Sequence, residues 1–295
     1  MKNILMTGGT GFLGSNLLKE LIKKYNIIVL KRTSSDISRL RRTGVILDKT
    51  NIKLYDIDKI SLSQLFGDQK IDFVLHCATN YGRNDADLLD IVDDNFLLPL
   101  KLLQLSRQSG ASVFINTDTV LNKEVNYYSL SKNNFKEWLR NYSKDIVCVN
   151  IALSNFFGPY DNGLKFVTSM VDSLQRRVKK IGLTLGMQKR DFIYIDDVVS
   201  GFLKIFDNLN NFNKGYHEFT IATGQCLSIK EIVFLIKELT KNDSTELNFG
   251  ALPYRENETM ELNIDTSALR ALGWQPRYSL REGLINMINI EKAGK

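Results

Sequence analysis

The sequence predicts an α/β protein with a doubly wound parallel sheet over its N-terminal part and a smaller α/β lobe at its C-terminus. Two observations carry this. Short apolar runs alternate with amphipathic helical patterns through the first half of the chain, and a glycine-rich turn joins the first run to the first helix. Strands buried on both faces read as continuous apolar runs, and the helices between them supply the crossovers that parallel strands require.

The runs are Asn3 to Thr7, Ile27 to Leu30, Ile52 to Asp56, Phe73 to Cys77, Ser112 to Asn116 and Val147 to Leu153. Between the first two, a helix is expected from about Gly11 to Lys24. Leu13, Leu17, Leu18, Leu21 and Ile22 recur at helical spacing, while Lys19, Glu20, Lys23 and Lys24 face outward. After Gly158-Pro159 the alternation weakens. Short strands and two helical segments follow, and the chain reaches Leu272-Gly273-Trp274-Gln275-Pro276 near its end. The expected organisation is a dinucleotide-binding domain over 1–160, with 190–223 returning to it, and a substrate-binding lobe over 161–295.

At 295 residues, 43% hydrophobic and 24% charged, the chain can bury a substantial core. It holds no apolar run near the roughly 18 residues of a membrane span. Ile4-Leu5-Met6 meets glycines at once and is too short for a signal peptide, so a cytoplasmic protein without membrane contact is expected. Cys77, Cys148 and Cys226 lie far apart without CxxC spacing, and His76 and His217 are the only histidines, so neither a disulfide framework nor a metal site is expected. Without a Ser-His-Asp or Cys-His pattern, hydrolase chemistry is disfavoured. The net charge of +6 is spread along the chain. Its local runs, Arg39-Leu40-Arg41-Arg42 and Arg176-Arg177-Val178-Lys179-Lys180, read as solvated helix faces, and no nucleic-acid partner is expected.

Gly8-Gly9-Thr10-Gly11-Phe12-Leu13-Gly14 follows the first strand and opens the first helix. In that context glycines let the backbone approach a pyrophosphate, whose charge meets free N–H groups and the helix dipole, as in a Rossmann domain. The end of the second strand selects between the nicotinamide coenzymes. An acid there accepts from a ribose 2′-OH, whereas a base meets a 2′-phosphate. Here Lys31 and Arg32 occupy it and no acid appears until Asp36, which favours NADP(H) and leaves NAD(H) possible.

Tyr128 and Lys132 stand at i and i+4 at the start of a helical pattern, so both can share one face. Tyr55 and Lys59 have the same spacing but straddle a strand end, where they cannot cooperate. A free phenol titrates near ~10, and a lysine cation at about 4 Å contributes roughly 4 kcal/mol at an effective dielectric near ~20, before desolvation opposes it. The expectation is a phenol drawn toward neutrality, where a proton donor works best. Upstream, Asn116-Thr117-Asp118-Thr119 places hydroxyls at a strand end, where open α/β sheets bind ligands.

With these motifs the chain resembles the extended short-chain dehydrogenase/reductases of the nucleotide-sugar epimerase/dehydratase group. The resemblance runs through the glycine turn; Asp56-Ile57; His76-Cys77-Ala78; Asn95; Thr117; Tyr128 with Lys132; Asn155 with Gly158-Pro159; the run Arg190 to Asp197; and Leu272 to Pro276. It implies a catalytic triad of Thr117, Tyr128 and Lys132. It implies coenzyme contacts at Gly8, Gly11, Phe12, Leu13, Gly14, Lys31, Arg32, Asp56, Ile57, Cys77, Ala78, Thr79, Asn95 and Lys132. Substrate contacts follow at Tyr81, Asp118, Asn155, Arg190, Arg255 and Glu258, with an internal ion pair of Arg190 to Asp191 or Asp196 as the competing reading.

Within the group the chain is most similar to the 4-ketoreductases that make CDP-linked dideoxyhexoses such as abequose and paratose. That similarity rests on His76 to Gly82, on Asn116-Thr117-Asp118, and on Phe249-Gly250-Ala251 followed by Arg255, Asn257 and Glu258. Ala152 replaces an arginine common in the family, and Val120-Leu121-Asn122 replaces Val-Tyr-Gly. The resemblance implies NADPH-dependent reduction of a nucleotide-linked 4-keto sugar, with CDP as the carrier, by a homodimer. An NAD-dependent C4 epimerase and a catalytically silent NADP(H)-sensing protein are the alternatives.

Overall fold

The structure, a computed structural model, describes residues 1–47, 50–83 and 86–293. Chain order begins β1 (Asn3–Thr7), α1 (Phe12–Leu21), β2 (Asn26–Lys31), α2 (Ser38–Arg42), β3 (Ile52–Asp56), α3 (Leu62–Asp68), β4 (Phe73–His76) and α4 (Leu88–Val92). A π-helical segment (Asp93–Leu97) leads into α5 (Leu98–Gln108), β5 (Val113–Thr119), α6 (Tyr127–Tyr142), β6 (Val147–Leu153) and β7 (Asn155–Phe157). Then come α7 (Phe166–Gln175), β8 (Lys180–Leu183), β9 (Lys189–Tyr194), α8 (Ile195–Asn208), β10 (Gly215–Ile221) and β11 (Cys226–Ser228). The chain closes with α9 (Ile229–Leu239), β12 (Glu246–Phe249), α10 (Ser267–Ala271) and α11 (Leu280–Ala293).

The first six apolar runs all become strands of one seven-stranded sheet, in the order β3-β2-β1-β4-β5-β6-β10. β1 pairs in parallel with β2 and with β4, β2 with β3, and β4 with β5. This is the Rossmann-type doubly wound order. It reverses direction between β1 and β4, where the register sets Thr7 beside His76, and that crevice is where such sheets bind ligands. The core here is built from Leu5, Ile28, Val74, Phe114, Phe135 and Leu139, all buried.

The chain divides into two compact units. One is Met1–Ala152 with Phe202–Phe219, and the other is Leu153–Gly201 with Thr220–Lys295. The second unit holds a three-stranded sheet, β11-β9-β7, and a two-stranded one, β12-β8. Its frame is tied by two buried carboxylates. Asp191 gathers the loop after β10, and Asp197 accepts from the backbone N–H groups of Arg277 and Tyr278 at 2.8 and 3.0 Å. No helix among the described residues is long and apolar enough to cross a membrane.

Candidate active site

The glycine turn is shaped by contacts that no side chain would survive. Gly8 has φ +68°, and a Cβ there would lie 2.5 Å from the Ala78 amide nitrogen. One at Gly14 would lie 2.0 Å from the Gly8 carbonyl oxygen, so the turn, the start of α1 and the end of β4 close on one another. Gly11 is the N-cap and offers no side-chain cap. The first-turn N–H groups of α1, around Leu13 and Gly14, therefore have no acceptor within the helix and are suited to an anion.

At the end of β2 the structure adds what sequence spacing does not reveal. Lys31 Nζ lies 2.5 Å from Asp56 Oδ1, and Arg32 grips Asp94 through contacts of 2.5 and 2.6 Å. The Lys31 ammonium holds the Asp56 carboxyl below its usual range, and the Asp94 carboxylate raises the Arg32 guanidinium further. Ile57 donates its N–H to the Lys31 carbonyl at 2.7 Å, which fixes the strand end. Both cations thus already have anionic partners in the ligand-free protein.

After β4, Cys77 and Ala78 donate their N–H groups to the carbonyl and the hydroxyl of Thr7, and Thr79 follows in the same loop. Asn95, in the π-helical segment, is fully buried. Its amide donates to the Asn80 carbonyl at 2.7 Å and to Ser131 Oγ at 3.1 Å, and its oxygen accepts from Asn80 N at 2.8 Å. Asn95 therefore clamps the loop after β4 onto α6.

A capping box of Asn126 and Ser129 fixes the start of α6, and with it the position of Tyr128 one residue into the helix. Lys132, one turn on, is 1% exposed, and its ammonium has no hydrogen-bond partner. Burial holds it down to about 8. Thr117, on β5, donates its hydroxyl to the His76 carbonyl at 3.1 Å. The Tyr81 ring rests against that of Tyr128 at 5.1 Å, and the Arg83 guanidinium lies 5.1 Å from the Tyr81 centroid on the other ring contact.

One expectation is revised here. The phenol of Tyr128 is raised well above its usual value, mainly by burial and next by Tyr81, so Lys132 does not draw it toward neutrality in the ligand-free protein. The hydrogen bond from Thr119 and the charge of Arg83 oppose that rise. Thr119, whose hydroxyl the sequence placed at the strand end without a role, is thus a contact of Tyr128. Asp118, the neighbour of Thr117, is buried with both carboxylate oxygens hydrogen-bonded. Its Oδ2 accepts from Asn150 at 2.8 Å, its Oδ1 accepts from Thr119 N at 2.8 Å, and burial raises its carboxyl.

The remaining predicted residues lie in the second unit. Arg190 donates to the Thr259 carbonyl at 2.6 Å and ion-pairs with Glu258, so neither Asp191 nor Asp196 is its partner. Burial, and secondarily the neighbouring Arg255 cation, lowers its guanidinium. Arg255 is exposed, and its carbonyl accepts from Glu258 N at 3.1 Å. Asn155 donates to the Asp191 carbonyl at 3.3 Å. Arg190 and Phe192 also line a cavity of about 340 Å³ with Thr223, Gln225 and Tyr278. Among the described residues no cluster could hold a metal ion.

The first unit fits a nicotinamide dinucleotide on its own geometry. The glycine turn and the uncapped α1 suit the pyrophosphate, and the unpartnered, buried Lys132 ammonium suits a ribose hydroxyl. Fold and site together define a dinucleotide-binding α/β protein carrying a Tyr-Lys pair. Comparison with known proteins completes this: the model of the NAD dependent epimerase/dehydratase family matches residues 4–222, and the chain belongs to that family.

Among its relatives, the CDP-abequose synthase of Salmonella muenchen is 35% identical, covering 99% of this chain and 98% of the relative. The CDP-abequose synthase of Salmonella typhimurium is 32% identical over 97% of each. The human dTDP-D-glucose 4,6-dehydratase is 26% identical over 99% of this chain and 93% of the relative. Among solved structures, the UDP-glucuronic acid 4-epimerase of Bacillus cereus matches with a TM-score of 0.85 at 21% identity, over 99% of this chain and 100% of that one. The UDP-glucose 4-epimerase of Thermotoga maritima matches with a TM-score of 0.84 at 23% identity and the same coverage. At such identities these likenesses establish the fold.

Proposed function

We propose that the protein reduces the C4 ketone of a nucleotide-linked 4-keto-6-deoxy or 3,6-dideoxy hexose with NADPH, in making a sugar for surface polysaccharide. The observation that carries this is the chemistry around Tyr128. The residue two positions after Thr117 is Thr119, whose hydroxyl contacts the phenol, and Asp118 is fixed by Asn150. An elimination requires a carboxylate base and an acid together, whereas a reduction requires a hydride and one proton. Among the described residues, the site offers the Tyr128 phenol as proton donor and no free carboxylate beside it.

The bound coenzyme would supply the hydride. Tyr128 gives its proton to the developing alkoxide, and Thr117 turns its hydroxyl from the His76 carbonyl to the same oxygen. Lys132 holds the coenzyme ribose and gains the partner it lacks. Burial keeps the phenol protonated until the alkoxide forms, which suits a proton donor. Arg190 and Arg255 are assigned to the nucleotide or its diphosphate, and Asn155 and Glu258 to the substrate without a more specific role. CDP is the favoured carrier because the relatives of highest identity cited above are CDP-abequose synthases. A homodimer is supported by an exposed apolar stripe of α6, where Tyr127, Leu130 and Trp138 stand at helical spacing, Trp138 also meeting the Phe96 ring edge-on at 6.2 Å.

The test incubates purified protein with intact CDP-, dTDP-, GDP- and UDP-hexoses, and separately with their enzymatically made 4-keto-6-deoxy derivatives plus NADPH. NADPH consumed in proportion to the 4-keto sugar is expected. A 4-keto-6-deoxy product from an intact hexose would instead make the protein a dehydratase, and interconversion of C4 epimers without added coenzyme would make it an epimerase.

A further inference from the structure

β5 outruns the strand on one side of it. Its ladder with β4 ends at His76 and Asn116, so Thr117, Asp118 and Thr119 project further, with the Thr117 hydroxyl reaching back to the His76 carbonyl at 3.1 Å. On its other side β5 neighbours β6, and there a single side chain, Asn150, holds the projecting end. Its Oδ1 accepts from Asn116 Nδ2 at 2.8 Å, and its Nδ2 donates to Asp118 Oδ2 at 2.8 Å. One carboxamide thus grips both side chains that flank Thr117 in sequence. Asn116, Asn150 and Asp118 are all buried.

The direction of this chain of hydrogen bonds is fixed at its end. A carboxylate only accepts, so the Asn150 atom that faces Asp118 is the amide nitrogen, which turns the Asn150 oxygen toward Asn116. The other Asp118 oxygen is filled by Thr119 N at 2.8 Å, and Lys136 Nζ stands 4.0 Å from Oδ2. The arrangement is costly. Burial raises the Asp118 carboxyl, and Asn116 Oδ1 is buried without a hydrogen-bond partner. The residues just before it on β5, Phe114 and Ile115, are apolar and fully buried, and apolar packing at 116, 118 and 150 would avoid that cost. What directional bonds supply in exchange is one relative position of the two strand ends.

Resting on the reductase reading above, in which Thr117 donates to the reacting C4 oxygen, we propose that Asn150 is a positioning residue for Thr117. It holds Asn116 and Asp118 so that the hydroxyl between them meets that oxygen. Successive side chains of a strand point to opposite faces, so the carboxamide grips β5 on the face opposite the Thr117 side chain. Loss of either bond lets the projecting end of β5 shift, and a misplacement of about 1 Å at a reacting group costs about 10²-fold in rate. Coenzyme affinity is preserved, because the glycine turn and Lys132 take no part in the bridge.

The test exchanges the two polar groups. Glu218 Oε1 lies 3.5 Å from Asn150 Nδ2, so the variants are built on Glu218→Gln, which removes that second carboxylate and should keep the wild-type kcat. On that background Asn150→Asp sets two carboxylates face to face, and Asp118→Asn leaves one donor too many. Each should lower kcat about 10- to 100-fold per coenzyme-binding site with KM preserved, as should Asn150→Ala, which removes both bonds without adding charge. Combining Asn150→Asp with Asp118→Asn restores the chain: the new amide at 118 donates to the new carboxylate at 150, and its oxygen still accepts from Thr119 N. There kcat should recover to within about threefold of the background. Single variants at the background kcat overturn the proposal. So does a combined variant that binds coenzyme yet stays as slow as the single ones, since the Asp118 carboxylate itself would then be the acting group. Added to Thr117→Val, Asn150→Asp should cost nothing more, and a further loss overturns action through Thr117. With threonine labelled by ¹³C at its methyl, the Thr117 signal of the ligand-free protein is assigned by its loss in Thr117→Val. It should move in each single variant and return in the combined one. An unmoved signal overturns the positioning, whereas failure of the wild type to reduce any 4-keto sugar sinks only the reductase reading.

Discussion

Lys132 in the first unit and Asp191 in the second are both charged and both almost wholly buried, yet their surroundings are opposite. The Lys132 ammonium has no hydrogen-bond partner. Asp191 accepts from Ser154 Oγ, from Thr223 N and Oγ1, and from the amides of Gly224 and Gln225, at 2.7 to 3.1 Å. A buried charge without partners is costly, so it persists where a ligand supplies the missing contact; a saturated one is architecture. Lys132 therefore marks the proposed reaction site and Asp191 the frame, although sequence patterning presents both simply as charged residues within α/β elements.

The comparison breaks most directly at Tyr128, which shares a face of α6 with Lys132. Tyr128→Phe keeps the ring against Tyr81 and removes only the transferable proton. Turnover should fall by about 10²- to 10⁴-fold while coenzyme affinity stays near wild type. Steady-state kinetics with a coenzyme titration checks this, and near-normal kcat would place the proton elsewhere.

On the other side, Asp191→Ala strands several buried donors at once and should lower unfolding free energy by about 3 kcal/mol or more. Denaturant titration measures the loss. A change within experimental error would mean that Asp191 is not the nail it resembles. Coenzyme affinity of the folded fraction should be unaffected, since the glycine turn belongs to the other unit.

The frame was far more legible than the state of the site. Three of the six expected strands, over 3–7, 52–56 and 147–153, coincide with β1, β3 and β6, because continuous apolar runs between turns leave little choice of period. The fifth was cut short at Asn116, whereas β5 continues through Thr119. Its last residues are polar, and only the tertiary fold buries them. The Tyr-Lys spacing and the glycine turn were also readable, since each is local. Partners distant in sequence were not: Arg190 finds Glu258, 68 residues away, and Lys31 and Arg32 find Asp56 and Asp94. The raised Tyr128 phenol was missed for the same reason. Helical spacing gives the lysine charge and the sign of the opposing desolvation, but not the depth of burial that makes desolvation prevail.

Lys132→Met sharpens the contrast, because the uncharged side chain removes the cost without the function. Burial lowers this ammonium from 10.5 to about 8, so the folded state binds fewer protons than the unfolded one between those values. Stability of the wild type therefore rises with pH across that window, and the penalty is greatest below pH 8, at roughly 3 kcal/mol. The ligand-free variant should be more stable than wild type at pH 7 by about 1–3 kcal/mol, with the difference shrinking as pH rises toward 10. It should also lose most of the thermal stabilisation by NADPH, which for a ligand at about 100 times its dissociation constant is about 2.7 kcal/mol. A variant less stable than wild type at pH 7 would show that the ammonium has a partner in solution.

The smallest effect is expected at the end of β2, where charges are neither unpartnered like Lys132 nor saturated like Asp191. Lys31 and Arg32 each hold a carboxylate, but the Arg32 side chain remains 62% exposed, so its guanidinium can turn to another anion. A charge-assisted hydrogen bond contributes about 1.5–3 kcal/mol, yet a 2′-phosphate gains only the difference between its own contacts and those with Asp56 and Asp94 that it displaces. The wild type should therefore prefer NADPH to NADH by about tenfold and no more, since one tenfold step is about 1.4 kcal/mol. The double variant Lys31→Ala with Arg32→Ala should lose that preference through weaker NADPH binding, while NADH affinity changes little. Replacing Asp94 by Asn, which leaves Arg32 without its anionic partner, should move the preference the other way, further toward NADPH. Fluorescence titration of both reduced coenzymes against the three proteins decides it. Equal affinity for NADPH and NADH in the wild type, unmoved by Asp94→Asn, would show that this basic pair is structural and that the protein uses either coenzyme.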